Sequence, residues 1–167
     1  YPFLSAGVIG KSVMGKDIWS IWIGTGAKQV FYSASYHANE SITTPVLLAF
    51  AEEYAASYAS GGNIVFSSAA GAENDGQTDM GQESVDARTL YNEFQLCMVP
   101  LVNPDGVDLV NGLLNSGVYY RRARLIAEDY PAIPFPDGWK ANIEGVDLNL
   151  QFPAGWEMAK QIKFSQG

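Results

Sequence analysis

Histidine, cysteine and positive charge are all scarce in this sequence. Its 167 residues include one histidine and one cysteine, and 10 lysines and arginines face 18 aspartates and glutamates. The single cysteine, Cys97, excludes an internal disulfide, and its apolar neighbours Leu96, Met98 and Val99 mark it as a buried, inert thiol. A formal charge of −8 leaves nothing to offset phosphate repulsion, which argues against a nucleic-acid partner. Acidity on this scale serves solubility first, although it also suits a cationic substrate. No apolar run approaches membrane-spanning length, so no membrane role is expected. The opening Tyr1-Pro2-Phe3-Leu4 has neither the basic start nor the long apolar stretch of a signal peptide. A soluble chain is expected, in the cytoplasm or exported after processing.

What is present is the material of a core. Hydrophobic residues make up 47% of the chain, enough for the buried interior of one ordinary domain and far from a disordered composition. Residues 17–23 are rich in β-branched and aromatic side chains and read as a strand, followed by a turn at Gly24-Thr25-Gly26-Ala27. Residues 30–35 read as a second strand, buried on both faces. Leu47, Ala51, Tyr54 and Tyr58 recur at helical spacing and predict a helix over 45–60, with Pro45 in its first turn and Gly61-Gly62 as its stop. A short strand is expected at 64–66, a long loop over 67–81, a helix over 83–94 and a central strand over 96–102. Asn103-Pro104-Asp105-Gly106 reads as a tight turn. After Tyr119-Tyr120-Arg121-Arg122 the chain looks irregular and proline-rich, with a short extended piece at 145–148 and a last helix from about Gly155. Strands alternating with helices indicate an α/β architecture with a mainly parallel or mixed sheet.

Three motifs stand out. The only histidine, His37, follows a predicted strand, and Glu40 lies three residues on in His37-Ala38-Asn39-Glu40. If a helix starts here, i and i+3 share a side, and an imidazole and a carboxylate can reach one metal ion. Zinc accepts that pair of donors. The same spacing also suits an ordinary structural histidine. The second motif is the Asn103–Gly106 turn at the end of a buried strand. The third, Gly145-Val146-Asp147-Leu148-Asn149, puts an acid and an amide on one short extended segment, and their alternation turns both to the same side.

Taken in order, the three motifs resemble those of the zinc carboxypeptidase family, and the similarity runs from about Tyr1 to the last residue, with Ile9-Gly10-Lys11-Ser12 before a strand resembling the start of such a domain. Trp139-Lys140-Ala141-Asn142, Leu148-Asn149-Leu150-Gln151-Phe152-Pro153 and Ala154-Gly155-Trp156-Glu157 resemble a bacterial branch that includes γ-D-glutamyl-diaminopimelate peptidases. The resemblance implies a three-layer α/β/α fold with a mixed, mainly parallel sheet, of which residues 1–167 form the N-terminal part. It implies zinc-dependent hydrolysis of short or peptidoglycan-derived peptides. His37 and Glu40 then hold Zn2+. Asp147 accepts a hydrogen bond from the histidine, fixing its tautomer. Asn149 helps to hold the substrate, and Lys140 stands where the family has an arginine that stabilises the oxyanion. Lysine keeps the charge without the bidentate fork.

Two departures refine the expectation. Where the family carries an arginine that clamps a free C-terminal carboxylate, this chain has Leu150, which binds no anion. Cleavage inside a short peptide then fits better than strict carboxypeptidase action. Arg121, Arg122 and Arg124 offer an alternative anion site, or simply a solvated face. The family's third zinc ligand is a second histidine and its general base a glutamate near the domain's end, and no second histidine exists here. A further polypeptide segment is therefore expected to complete the domain and exposed sheet edges to await it. The competing readings are a non-catalytic relative that binds peptides or a partner, and an ordinary carboxypeptidase whose anion clamp comes from elsewhere.

Overall fold

The structure is a computed structural model and describes residues 1–69 and 80–165. Four strands form the main sheet. Ser5–Lys11 (β1) and Asp17–Ile23 (β2) make an antiparallel hairpin, β2 continues antiparallel to Phe94–Val99 (β6), and Lys28–Ser33 (β3) runs parallel to β6 on its far side. Asn63–Ala69 (β4) and Met80–Asp86 (β5) form a separate antiparallel pair. The helices are Thr43–Ser60 (α1), Ala87–Glu93 (α2), Pro104–Val110 (α3), Gly117–Glu128 (α4) and Trp156–Ser165 (α5).

The expected α/β architecture and mixed sheet are present. Within the described strands, however, the parallel part is the β3–β6 pair alone, and the sheet is not mainly parallel. The strand at 5–11 adds an edge that its glycines conceal in the sequence. The segment read as a loop over 67–81 contributes 67–69 and 80–81 to the β4–β5 pair, while 70–79 lie outside the described residues. That pairing shortens the helix expected over 83–94. Asp86 caps α2 instead, its carboxylate accepting the Thr89 N–H at 2.7 Å and the Thr89 hydroxyl at 2.8 Å. Those bonds hold the Asp86 carboxyl below its ordinary pKa.

Helix α1 begins at Thr43 and ends where Gly61 adopts φ 70°, with the Gly61 and Gly62 N–H groups closing on the Tyr58 and Ser57 carbonyls. It lays Ala51, Tyr54 and Ala55 on the sheet, against Ile23, Leu96 and Met98. Each large side chain buried there, such as Ile23 or Met98 at 1% exposure, contributes roughly 1.5–3 kcal/mol. The Tyr54 hydroxyl lies in this apolar layer without a hydrogen-bond partner, and burial pushes its pKa up to about 12. Burial likewise raises the Cys97 thiol, although Cys97 is half-buried rather than fully buried as expected.

A second core of Ala38, Leu109, Ala123, Trp139 and Ile143 lies beside the first and underpins the motif-bearing segments. Helix α4 extends six residues into the stretch read as irregular, turning Ala123 inward and leaving Arg121, Arg122 and Arg124 exposed, while 129–147 carry no helix or strand, as expected. Strand β3, expected to be buried on both faces, is the outermost strand of the sheet, and Phe31 and Tyr32 remain 58% and 47% exposed. Among the described residues, no helix is long and apolar enough to cross a membrane.

The turn between β2 and β3 leans on the start of β6, with the Gly26 N–H donating to the Phe94 carbonyl at 3.2 Å. A Cβ on Gly26 would lie 1.8 Å from the Glu93 carbonyl carbon, and one on Gly24 2.1 Å from the Phe94 oxygen. Gly26→Ala is therefore expected to cost more than about 2 kcal/mol in chemical denaturation. Gly7→Ala, with open space around its Cβ, should stay within about 1 kcal/mol of wild type. Equal effects would contradict this packing.

Candidate metal and peptide site

The chain reaches the site by leaving β3 under tight backbone control. The Ala34 N–H donates to the Val99 carbonyl at 3.0 Å, and the Val102 and Asn103 N–H groups return to the Ala34 and Ser35 carbonyls at 3.1 Å. Ser35 takes a left-handed φ of 53°, unusual for a residue with a side chain. Its N–H donates to the Thr43 hydroxyl at 2.9 Å, and its own hydroxyl pairs with that of Thr44 at 2.7 Å. These bonds hold the reversal that delivers His37.

His37 caps a 3-10 turn, Ala38–Glu40, rather than starting the longer helix directly. Residues i and i+3 eclipse in such a turn, so the expected juxtaposition survives. His37 Nδ1 lies 3.0 Å from Glu40 Oε1, and Nε2 lies 3.3 Å from Asp147 Oδ1. The imidazole is 18% exposed, while the Glu40 and Asp147 side chains are 50% and 33% exposed. The ring is thus shielded, and the Glu40 side opens to solvent.

Asp147 keeps an extended backbone, as its sequence pattern suggests, but the extended piece ends there and does not reach Asn149. It caps a second 3-10 turn, Leu148–Leu150, and its Oδ1 accepts the Asn149 N–H at 3.1 Å as well as facing the histidine. The loop before it closes around Asn142, whose Oδ1 accepts the Glu144 N–H at 3.0 Å and the Val146 N–H at 2.9 Å. Local side-chain bonds of this kind compete with strand pairing and win here. One carboxylate oxygen therefore joins His37 to the backbone of Asn149. The Asn149 side chain is exposed, and Leu150 is half-buried.

Asn103-Pro104-Asp105-Gly106 is a helix start rather than a turn. Asn103 caps α3, accepting the Gly106 N–H at 3.1 Å, with Pro104 in the first helical position. Asn followed by Pro is the sequence signal for this, and it is masked by the turn preference of all four residues. Asp105, 1% exposed, accepts the Ser12 hydroxyl and the Met14 N–H at 2.9 Å each, pinning the β1–β2 turn to α3. Lys140 is tied to the site through its main chain, its carbonyl accepting the Ala38 N–H at 3.0 Å. Its exposed side chain does not touch His37, Glu40 or Asp147. The arginines of α4 hold one weak pair, Arg124 to Glu128 at 4.0 Å.

The donor set defines the chemistry. Ionised carboxylates only accept, so the bond to Asp147 requires a proton on Nε2 and leaves Nδ1 facing a second acceptor. A second ring proton satisfies both carboxylates, and so would a cation between Nδ1 and Glu40, which makes the pair compatible with a metal. Zinc bonds of about 2.0–2.2 Å at a tetrahedral angle set two donors about 3.3–3.6 Å apart, a few tenths of an ångström wider than the 3.0 Å observed. Among the described residues, no group of three or more His, Cys, Asp or Glu side chains gathers for a metal. The pair fits zinc as part of a site.

The model of the zinc carboxypeptidase family matches residues 1–166. The chain is 42% identical over 159 residues to gamma-D-glutamyl-L-diamino acid endopeptidase 1 of Lysinibacillus sphaericus, covering 95% of this chain and 35% of that protein. It is 41% identical over 166 residues to the uncharacterized protein YqgT of Bacillus subtilis, covering 98% and 39%. The chain thus spans less than two-fifths of these curated relatives. Bovine thrombin-activatable fibrinolysis inhibitor, solved with tick carboxypeptidase inhibitor, shares the fold at 15% identity and a TM-score of 0.50, covering 85% of this chain and 31% of that one.

Because His37 is the only histidine, its ring gives unambiguous NMR signals. The wild-type ring is expected to show a protonated Nε2 in one environment. Asp147→Ala should average the two nitrogens and release the Asn149 amide. Unchanged ring signals in the variant would contradict the geometry.

Proposed function

The chain belongs to the zinc carboxypeptidase family, and from that premise we propose that it supplies part of the active site of a zinc peptidase. The reaction is hydrolysis of peptide bonds in short or peptidoglycan-derived peptides of the γ-D-glutamyl-diamino acid type. The observation that carries this reading is the arrangement of one imidazole between two carboxylates, Glu40 at 3.0 Å and Asp147 at 3.3 Å.

His37 Nδ1 and Glu40 hold the metal. Bound zinc supplies an activated water and polarises the scissile carbonyl. Asp147 keeps the ring proton on Nε2 and the lone pair of Nδ1 directed outward, which raises its basicity as a ligand. Through the same oxygen it orients the backbone at Asn149, whose exposed amide binds the peptide. Lys140 offers an ammonium to the oxyanion as charge develops there, an electrostatic role that lysine performs less directionally than arginine. The third ligand and the proton-shuttling carboxylate come from a polypeptide segment outside these residues.

Leu150 supports cleavage within a peptide. An apolar side chain gives no partner to a free terminal carboxylate, and the L. sphaericus relative is named an endopeptidase. The arginines of α4 remain a solvated face in this reading.

The full-length protein is expected to contain zinc in stoichiometric amount and to cleave a γ-D-glutamyl-diaminopimelate peptide whether its C-terminus is free or amidated. His37→Ala should lose the metal and activity by about 100-fold or more. Cleavage of free-ended peptides alone would favour an ordinary carboxypeptidase. Metal-free, inactive protein would favour a binding module and sink the proposal.

A further inference from the structure

We infer that Asn103 is a positioning residue for this site: its buried amide fixes the His37 segment relative to the Lys140 segment. The inference rests on the roles of those two residues given above. Asn103 is 2% exposed, and every polar atom of its side chain is engaged. Oδ1 accepts the Gly106 N–H at 3.1 Å, while Nδ2 donates to the Tyr36 carbonyl at 3.1 Å and to the Ala141 carbonyl at 3.0 Å. Tyr36 immediately precedes His37, and Ala141 immediately follows Lys140. The Ala38 N–H to Lys140 carbonyl bond at 3.0 Å joins the same two segments on the other side of those residues.

Helix capping alone does not account for this residue. Serine, threonine and aspartate cap equally well through one acceptor. What asparagine adds is two N–H donors on a short side chain, and both are spent on the site segments. Gly106 gives an independent indication. A Cβ there would lie 2.6 Å from Asn103 Nδ2 and 2.7 Å from the Ala141 carbonyl oxygen. The glycine lets the amide and the Lys140 segment close on the start of α3. Asp105 makes a useful contrast, because it is buried in the same helical turn but its carboxylate binds Ser12 and Met14, not the site segments.

The test uses the isotope-labelled full-length protein and four variants: Asn103→Ser, Asn103→Asp, Gly106→Ala and Asp105→Asn. Serine and aspartate keep the capping acceptor and remove both donors. Zinc affinity and the His37 ring signals are read beside the melting temperature. The Asn103 and Gly106 variants are expected to weaken zinc binding about tenfold or more and to shift the metal-free ring signals. Asp105→Asn should lower the melting temperature comparably yet leave zinc affinity within about threefold and the ring signals in place. If Asp105→Asn moves the ring and the affinity as much as Asn103→Ser does at equal loss of stability, Asn103 is only structural and the inference falls. It falls equally if Asn103→Ser changes neither. Should wild type itself fail to bind zinc through His37, the peptidase reading fails, and the metal-free ring signals still decide the role of Asn103. If an Asn103 variant does not fold, Gly106→Ala decides the question by the same two measurements.

Discussion

A neutral imidazole has one proton to give, and in this molecule it meets an acceptor on each side. When the ring is neutral and Asp147 takes the Nε2 proton, Nδ1 presents a lone pair to the Glu40 carboxylate across 3.0 Å. Two acceptors that close repel unless a proton or a metal cation stands between them. The surrounding structure holds them there regardless. The left-handed Ser35, the hydroxyls of Thr43 and Thr44 and the backbone stitches to residues 99–103 fix the ring from one side. The Asn142 loop and the buried Ile143 fix Asp147 from the other. A fold that keeps such a pair facing has its binding chemistry arranged before the ligand arrives, which is what preorganisation means physically.

The second core explains how a small set of contacts can do this. Ala38, Trp139 and Ile143 are each buried and each stand next to a site segment: after His37, before Lys140 and ahead of Asp147. Side chains close-packed in that way cannot shift independently. The site is therefore carried by the α3–α4 side of the molecule and only anchored to the sheet through the end of β3 and β6.

Much of this is legible in the sequence, though not always for the right local reason. The juxtaposition of His37 and Glu40 follows from i,i+3 spacing and holds whether the turn is α or 3-10. Asp147 emerges from motif order and stays extended, while the alternation expected to run on to Asn149 gives way to a 3-10 turn that Asp147 caps, which local spacing does not reveal. Asn103-Pro104 reads as a turn because Asn, Pro, Asp and Gly all favour turns, and the same residues start helices when a capping acceptor and a proline coincide. Helix α4 is missed although Tyr119, Tyr120, Ala123, Ile126 and Ala127 recur at helical spacing against the second core, because its arginine-rich face and the prolines that follow dominate the reading. The edge position of β3 is beyond reach, since an apolar strand looks identical whether its neighbours lie in the same segment or in another.

The central claim is that one cation sits between His37 Nδ1 and Glu40 while Asp147 holds Nε2. Anomalous diffraction at the zinc edge, from crystals of the zinc-loaded full-length protein, addresses it most directly. The expected result is a single strong peak within bonding distance of His37 Nδ1 and a Glu40 carboxylate oxygen, with Nε2 still turned to Asp147. A peak bound through Nε2, or zinc located away from both residues, would contradict it.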